Sequence, residues 1–141
     1  MAFPGLAILP TASPRWQKVT VAKMQSAPIH ASECEIQQFP WGSLRWVASA
    51  GLGNSTTMTV GLATIAAGHT NPLHRHPNCD EVLHLLSGKI RHTLGNNEFL
   101  LSPGDTISIP MGEWHNATAL GNEEAKMVIC FSSADRQTEF A

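Results

Sequence analysis

From Trp41 onward, short runs of β-branched and aliphatic residues alternate with Gly, Pro and Asn breaks, at the spacing of an all-β sandwich or barrel. The pattern predicts strands over residues 43–48, 56–65, 81–87, 89–94, 98–101, 106–109 and 125–131, and no stretch sustains a helical period. Strand alternation orders the side chains: if Glu81 faces inward, Leu83 and Leu85 follow it and His84 faces out. On the next strand Ile90, His92 and Leu94 share a face, which makes His92 the polar member of an apolar row. Gly95, Asn96 and Asn97 predict a tight hairpin, because Gly and Asn tolerate positive φ. Pro103, Gly104 and Asp105 predict a second turn, and Pro110 and Gly112 end a strand just before His115. Trp41, Trp46, Met58 and Phe99 fall at strand spacing and read as core.

The first 38 residues differ: they hold four of the nine prolines and no sustained period. They read as an irregular N-terminal arm, with a possible short strand at 19–25 that pairs with a partner subunit or covers the barrel edge. The expectation is one domain, residues 1–38 as the arm and 39–141 as the barrel, since 141 residues suffice for one core but not for two typical domains.

Composition narrows the partners. Nine basic and eleven acidic residues give a formal charge of -2, which offers no basic stripe for nucleic acid and no polybasic patch for a membrane. A small-molecule ligand is the better expectation. The opening MAFPGLAILP has no basic residue ahead of it and is broken by Pro4 and Pro10, unlike a signal-peptide core or a spanning helix. Cys34, Cys79 and Cys130 are an odd count without a C-x-x-C pair, so free thiols in the reducing cytoplasm are expected.

The candidate chemistry lies in four residues. His74 and His76 are two apart, so on an extended chain both side chains leave one face and converge. Glu81 follows across a short loop, and His115 comes from a separate turn. Three imidazoles and a carboxylate suit iron, manganese, nickel, copper, cobalt or zinc, whereas calcium and magnesium prefer all-oxygen shells. His92 is the candidate acid, base or substrate anchor beside them, set against the plainer reading of a hydrogen-bonded core histidine. Leu83, Met111 and Trp114 are the pocket candidates, the last two at its mouth. Arg75 should face away from its histidine neighbours and pair at the surface or with Asp80. Cys79 reads as a small packed thiol and His69 as an exposed turn residue.

These spacings resemble the two motifs of the cupin superfamily, in its small single-domain form. Gly68, His74, His76, Glu81 and Gly88 match G-x5-H-x-H-x4-E-x6-G, and Gly104, Pro110, Gly112 and His115 match G-x5-P-x-G-x2-H-x3-N. The closing Asn falls on Ala119, a departure at a position that is not a metal ligand in the family pattern. The resemblance implies a single jelly-roll β-barrel, with motifs at 68–88 and 104–115, that binds one divalent transition metal per chain through His74, His76, Glu81 and His115. It also implies a homodimer in which N-terminal strands extend the neighbour's sheet. Because one fold hosts many reactions, three functions are expected in order: a non-haem dioxygenase or related oxidoreductase; a lyase, isomerase or cyclase using the ion as Lewis acid with His92 moving a proton; and a non-catalytic ligand-binding barrel. The chain has no tyrosine, so an elimination through a tyrosinate base is excluded.

Overall fold

The computed structural model describes residues 27–141, and among these the chain is almost wholly β. A single 3-10 turn at Ala31–Glu33 precedes eleven strands: β1 Ile36–Phe39, β2 Gly42–Ala48, β3 Thr59–Ile65, β4 His74–Arg75, β5 Glu81–Ser87, β6 Ile90–Leu94, β7 Asn97–Leu101, β8 Thr106–Ile109, β9 His115–Ala119, β10 Ala125–Phe131 and β11 Glu139–Phe140. They form a six-stranded sheet, β1-β2-β3-β10-β5-β8, and a five-stranded sheet, β11-β4-β9-β6-β7. Every pairing is antiparallel. From β3 on, the chain changes sheet at each connection except the β6–β7 hairpin, which is the winding of a jelly roll. The all-β barrel expected from the pattern is the fold observed.

Alternation fixes what lies between the sheets. On β5, Glu81, Leu83 and Leu85 are buried while Val82 is exposed. On β10, Ala125, Met127, Ile129 and Phe131 turn inward. The second sheet contributes Ile90, His92, His115, Ala117 and Ala119. Burying this set drives the two sheets together, each large aliphatic contributing about 1.5–3 kcal/mol of transfer free energy.

The small residues matter as much as the large ones. Ala63 and Ala117 leave space toward one end of the barrel, and Gly61 lets the Trp46 ring lie against the backbone of β3: a Cβ there would sit 2.7 Å from two ring carbons. Gly88, at φ 78, turns β5 into β6 at a point where a Cβ would meet the Glu124 carbonyl at 2.5 Å. At the β6–β7 hairpin only Gly95 takes positive φ, 56°, so Asn96 does not use its tolerance; Gly in the first central position is the type II′ pattern.

Four elements differ from expectation. Ile36–Phe39, whose first three residues read as the end of the arm, is an edge strand paired with β2 through the turn at Pro40 and Trp41. β4 and β11 are two residues each and β9 alternates without a large apolar side chain, so each is held by its neighbour in the sheet. Met58 and Phe99 are 48% and 44% exposed, and so are not core. The strand expected at 19–25 lies outside the described residues.

Candidate metal centre

The four candidate ligands gather at one end of the barrel because three of them sit at strand starts. His74 opens β4, Glu81 opens β5 and His115 opens β9, and His74 pairs directly with His115 across the second sheet. His76 follows β4 by one residue. Strand β5 belongs to the other sheet, so the cluster joins both. One ligand atom from each residue lies within 4.8 Å of the other three, a spread comparable with two metal–nitrogen bonds of about 2.1 Å laid end to end. His76, Glu81 and His115 are buried and His74 is half-buried.

Hydrogen bonds set the tautomers. Nδ1 of His74 meets the Pro72 carbonyl at 2.8 Å, Nδ1 of His76 the Gln137 carbonyl at 2.7 Å, and Nδ1 of His115 the Glu113 carbonyl at 2.9 Å. A carbonyl only accepts, so each Nδ1 carries the proton and donates it. In the neutral rings Nε2 is then a bare lone pair, aimed inward. His115 Nε2 lies 3.0 Å and His76 Nε2 3.1 Å from Glu81 Oε2, and the latter nitrogen has no hydrogen-bond partner in acceptable geometry among the described residues. Lone pairs and a carboxylate packed together repel unless a cation sits among them, and this is how second-shell carbonyls prepare histidines for a metal. The residues present therefore fit a divalent transition ion.

A proton can serve the same end, and the titration of the cluster reflects it. Burial opposes charge on Glu81, yet the hydrogen bond with His115 and the close approach of the His76 ring outweigh that and hold the carboxyl at about 2. Burial likewise opposes charge on His115, but the bonded Glu81 carboxylate raises it above the ordinary histidine value. His74 goes the other way, to about 4, by burial and then by the His115 charge.

His92 lies on β6 opposite Ala117, with its ring stacked 5.8 Å from that of His115. It is 1% exposed, its Nδ1 has no partner among the described residues, and burial followed by the His115 charge lowers it to about 4. It is a neutral imidazole facing the site, as the alternation of β6 implied.

A cavity of about 330 Å³ opens above the cluster, within the range of small-molecule pockets. Leu83 lines it. Met111 and Trp114 do not: the Met111 amide donates to Asp80 at 2.8 Å, which leaves its side chain 57% exposed, and the Trp114 ring lies under the Arg75 guanidinium at 4.8 Å. Arg75 does face outward and, of its two expected partnerships, makes the surface one, an ion pair with Glu139 at 2.7 Å. Ala119 is buried in the core, and its backbone ties down the start of the first motif, donating to the His69 carbonyl at 3.0 Å.

Two regions contribute walls that sequence reasoning did not assign. The β1–β2 hairpin supplies Gln37, Phe39, Trp41, Leu44 and Trp46, with Trp46 Nε1 donating to Gln37 Oε1 at 3.2 Å. The C-terminal segment supplies Arg136, Thr138 and Phe140. This segment is strapped across the site: Asn78 Nδ2 donates to the Asp135 carbonyl at 2.8 Å, the Gln137 amide donates to Asn78 Oδ1 at 3.0 Å, and β11 pairs with β4. No local pattern in residues 133–141 announces this, because the strap gets its bonds from the ligand loop rather than from itself.

The fold and site define a class, the jelly-roll barrel with a candidate metal centre at one end. The family model described as "Cupin domain" matches residues 61–131, and the chain belongs to that family. Among known proteins it is 31% identical over 87 residues to germin-like protein 3-8 of Oryza sativa subsp. japonica, covering 57% of this chain and 38% of the relative. It is 27% identical over 110 residues to polyketide synthase CurC of Streptomyces cyaneus, covering 78% of this chain and 71% of that one. The structure of Lactobacillus farciminis oxalate decarboxylase, in a formate complex, superposes with a TM-score of 0.74 at 20% identity, over 79% of this chain and 34% of that chain. This chain thus spans little more than a third of the germin-like protein and of the decarboxylase.

Proposed function

We propose that His74, His76, Glu81 and His115 bind one divalent transition metal, and that the protein is a metal-dependent enzyme acting on a small oxygenated organic molecule, an oxidoreductase of the dioxygenase type. The observation that carries this is the set of three imidazole Nε2 lone pairs and one carboxylate converging on a point at the floor of an apolar cavity. When bound, such an ion supplies Lewis-acid polarisation of a substrate oxygen and, if redox-active, electron exchange with dioxygen. The chain's own residues do the rest. Pro72, Gln137 and Glu113 carbonyls hold the rings, and Trp46, Phe131, Leu83 and Ile129 exclude water. The Streptomyces relative is named for polyketide synthesis, and polyketides are carbon-rich molecules bearing oxygens, in keeping with such a cavity.

One observation favours a second reading, a lyase, isomerase or cyclase. His92 lines the cavity, buried beside His115 and without a partner at Nδ1 among the described residues, which places its ring to exchange a proton with a substrate. The distinguishing experiment is metal analysis by mass spectrometry on untagged protein, followed by oxygen-uptake screening. About one equivalent of iron, manganese, nickel or copper, lost in His74→Ala and His115→Ala, with oxygen consumption, supports the first reading. Zinc with an oxygen-independent reaction that His92→Ala abolishes supports the second, and no metal at all leaves a ligand-binding barrel.

The reading includes a homodimer, which light scattering tests: a species of the single-chain mass removes it. It also includes a reducing cytoplasmic location, supported by three free thiols at Cys34, Cys79 and Cys130. No helix among the described residues is long and apolar enough to cross a membrane.

A further inference from the structure

The cavity holds one cation that the metal-centre reading does not use. Arg136, on the C-terminal strap, lines the cavity with its guanidinium 4.4 Å from the Trp46 ring and 5.0 Å from the Phe131 ring. Its Nη1 donates to Thr138 Oγ1, which in turn stands 3.4 Å from Nδ1 of the candidate ligand His76. Among the described residues no carboxylate forms an ion pair with it, and its Nε is buried without a hydrogen-bond partner.

Those contacts have a consequence. Aromatic rings packed over a guanidinium leave its N–H donors for acceptors at the edges; Thr138 takes Nη1, and Nε is left without one. A buried N–H without an acceptor is costly, and the acceptor that matches two parallel guanidinium donors is a carboxylate. The rest of the wall specifies the body attached to it. Phe39, Trp41, Trp46, Phe131 and Phe140 surround the space together with aliphatic side chains, a lining suited to a flat apolar group and poorly suited to a small, strongly hydrated dianion.

We propose that Arg136 is the substrate anchor of this site, and that the substrate class is a flat, apolar carboxylate, an aromatic or conjugated acid whose carboxylate sits on Arg136 while its ring fills the aromatic cavity. The proposal deepens the function proposed above and rests on its placing of the site, but its anchor does not require the ion.

The test uses 2-naphthoate and its neutral isostere 2-naphthamide as probes, titrated by calorimetry and by quenching of tryptophan emission into metal-loaded and metal-depleted full-length protein. The acid is expected to bind at least about tenfold more tightly than the amide in both forms, the preference a charge-assisted bidentate pair confers. Arg136→Gln should abolish that preference by weakening the acid while leaving the amide within about twofold, and Arg136→Lys, which keeps the charge but loses the fork, should fall between. Unchanged amide binding also reports an intact cavity in each variant. Equal binding of the two probes by the natural protein, binding of neither, or a preference that survives Arg136→Gln would each overturn the proposal. A preference seen only in the metal-loaded form would also overturn it, because the carboxylate would then be held by the ion. If the natural protein takes up no metal yet shows the Arg136-dependent preference, the metal-enzyme reading fails and this one stands.

Discussion

Glu81 is the one negative charge among three inward-facing imidazoles, and its substitution separates charge from shape. Glu81→Gln keeps the side chain's length, removes the charge and replaces one carboxylate oxygen with an NH2 group, which donates hydrogen bonds and is not a metal ligand. Metal affinity is expected to fall by at least about tenfold, the smallest loss usually seen even when only an outer-shell partner is removed. Competition against a chromophoric chelator measures it, and unchanged affinity would show that the carboxylate is not a ligand. A second residue controls the wall rather than the floor. At Gly61 an added methyl would stand 2.7 Å from Trp46, and the ring is fixed on its other side by the Gln37 hydrogen bond. Gly61→Ala should cost about 1–3 kcal/mol through overpacking. It should also shift the tryptophan emission as the indole is displaced. Urea unfolding with an unaltered midpoint would contradict the close approach.

At the scale of elements, β11 holds the end of the strap to β4, while its middle, residues 135–137, is held to the ligand loop by Asn78. Asn78 both donates to the Asp135 carbonyl and accepts from the Gln137 amide, and Gln137 in turn orients His76. Asn78→Ala should therefore leave the barrel folded but loosen the strap, lowering metal affinity about 10- to 100-fold as loss of a ligand's supporting bond does elsewhere. Faster proteolysis near residue 136 at unchanged far-UV circular dichroism would accompany it; affinity equal to the natural protein's would dissociate the strap from the site. The strap was not legible in the sequence, whereas β5 and β10 were, because the latter two display an alternation that burial on one face imposes. The positions of His74, His76, Glu81 and His115 were also legible, since motif spacing encodes which strand ends meet. What spacing does not encode is where neighbouring backbone sends a side chain. Met111 was expected at the pocket mouth, but its amide is held by Asp80; Trp46 was expected in the core, but Gly61 and the β1 edge turn it into a cavity wall.

For the whole molecule, the placing of the cluster has a mechanical meaning. Glu81 belongs to the six-stranded sheet and His74 and His115 to the five-stranded one, so an ion bound by all of them ties the two sheets together at the end where the cavity holds them apart. The opposite end has Leu85, Ile90 and Ala125 packed at no measurable exposure and needs no such tie. Binding to the folded chain alone stabilises it by mass action, about 2.7 kcal/mol when free metal is a hundredfold above the dissociation constant. For a domain of this size that corresponds to a rise of roughly 6–14 °C in the thermal midpoint. Differential scanning calorimetry of chelated protein, titrated with iron, manganese, nickel, copper, cobalt and zinc in turn, should show the rise for at least one ion and lose it in His115→Ala. The variant also separates a true tie between sheets from weak surface binding, because it leaves His74, His76 and Glu81 in place while removing a ligand contributed by β9. A midpoint that none of these ions moves would mean the two sheets are held by their apolar core alone, and the convergence of imidazoles would then have to be explained by proton sharing with Glu81.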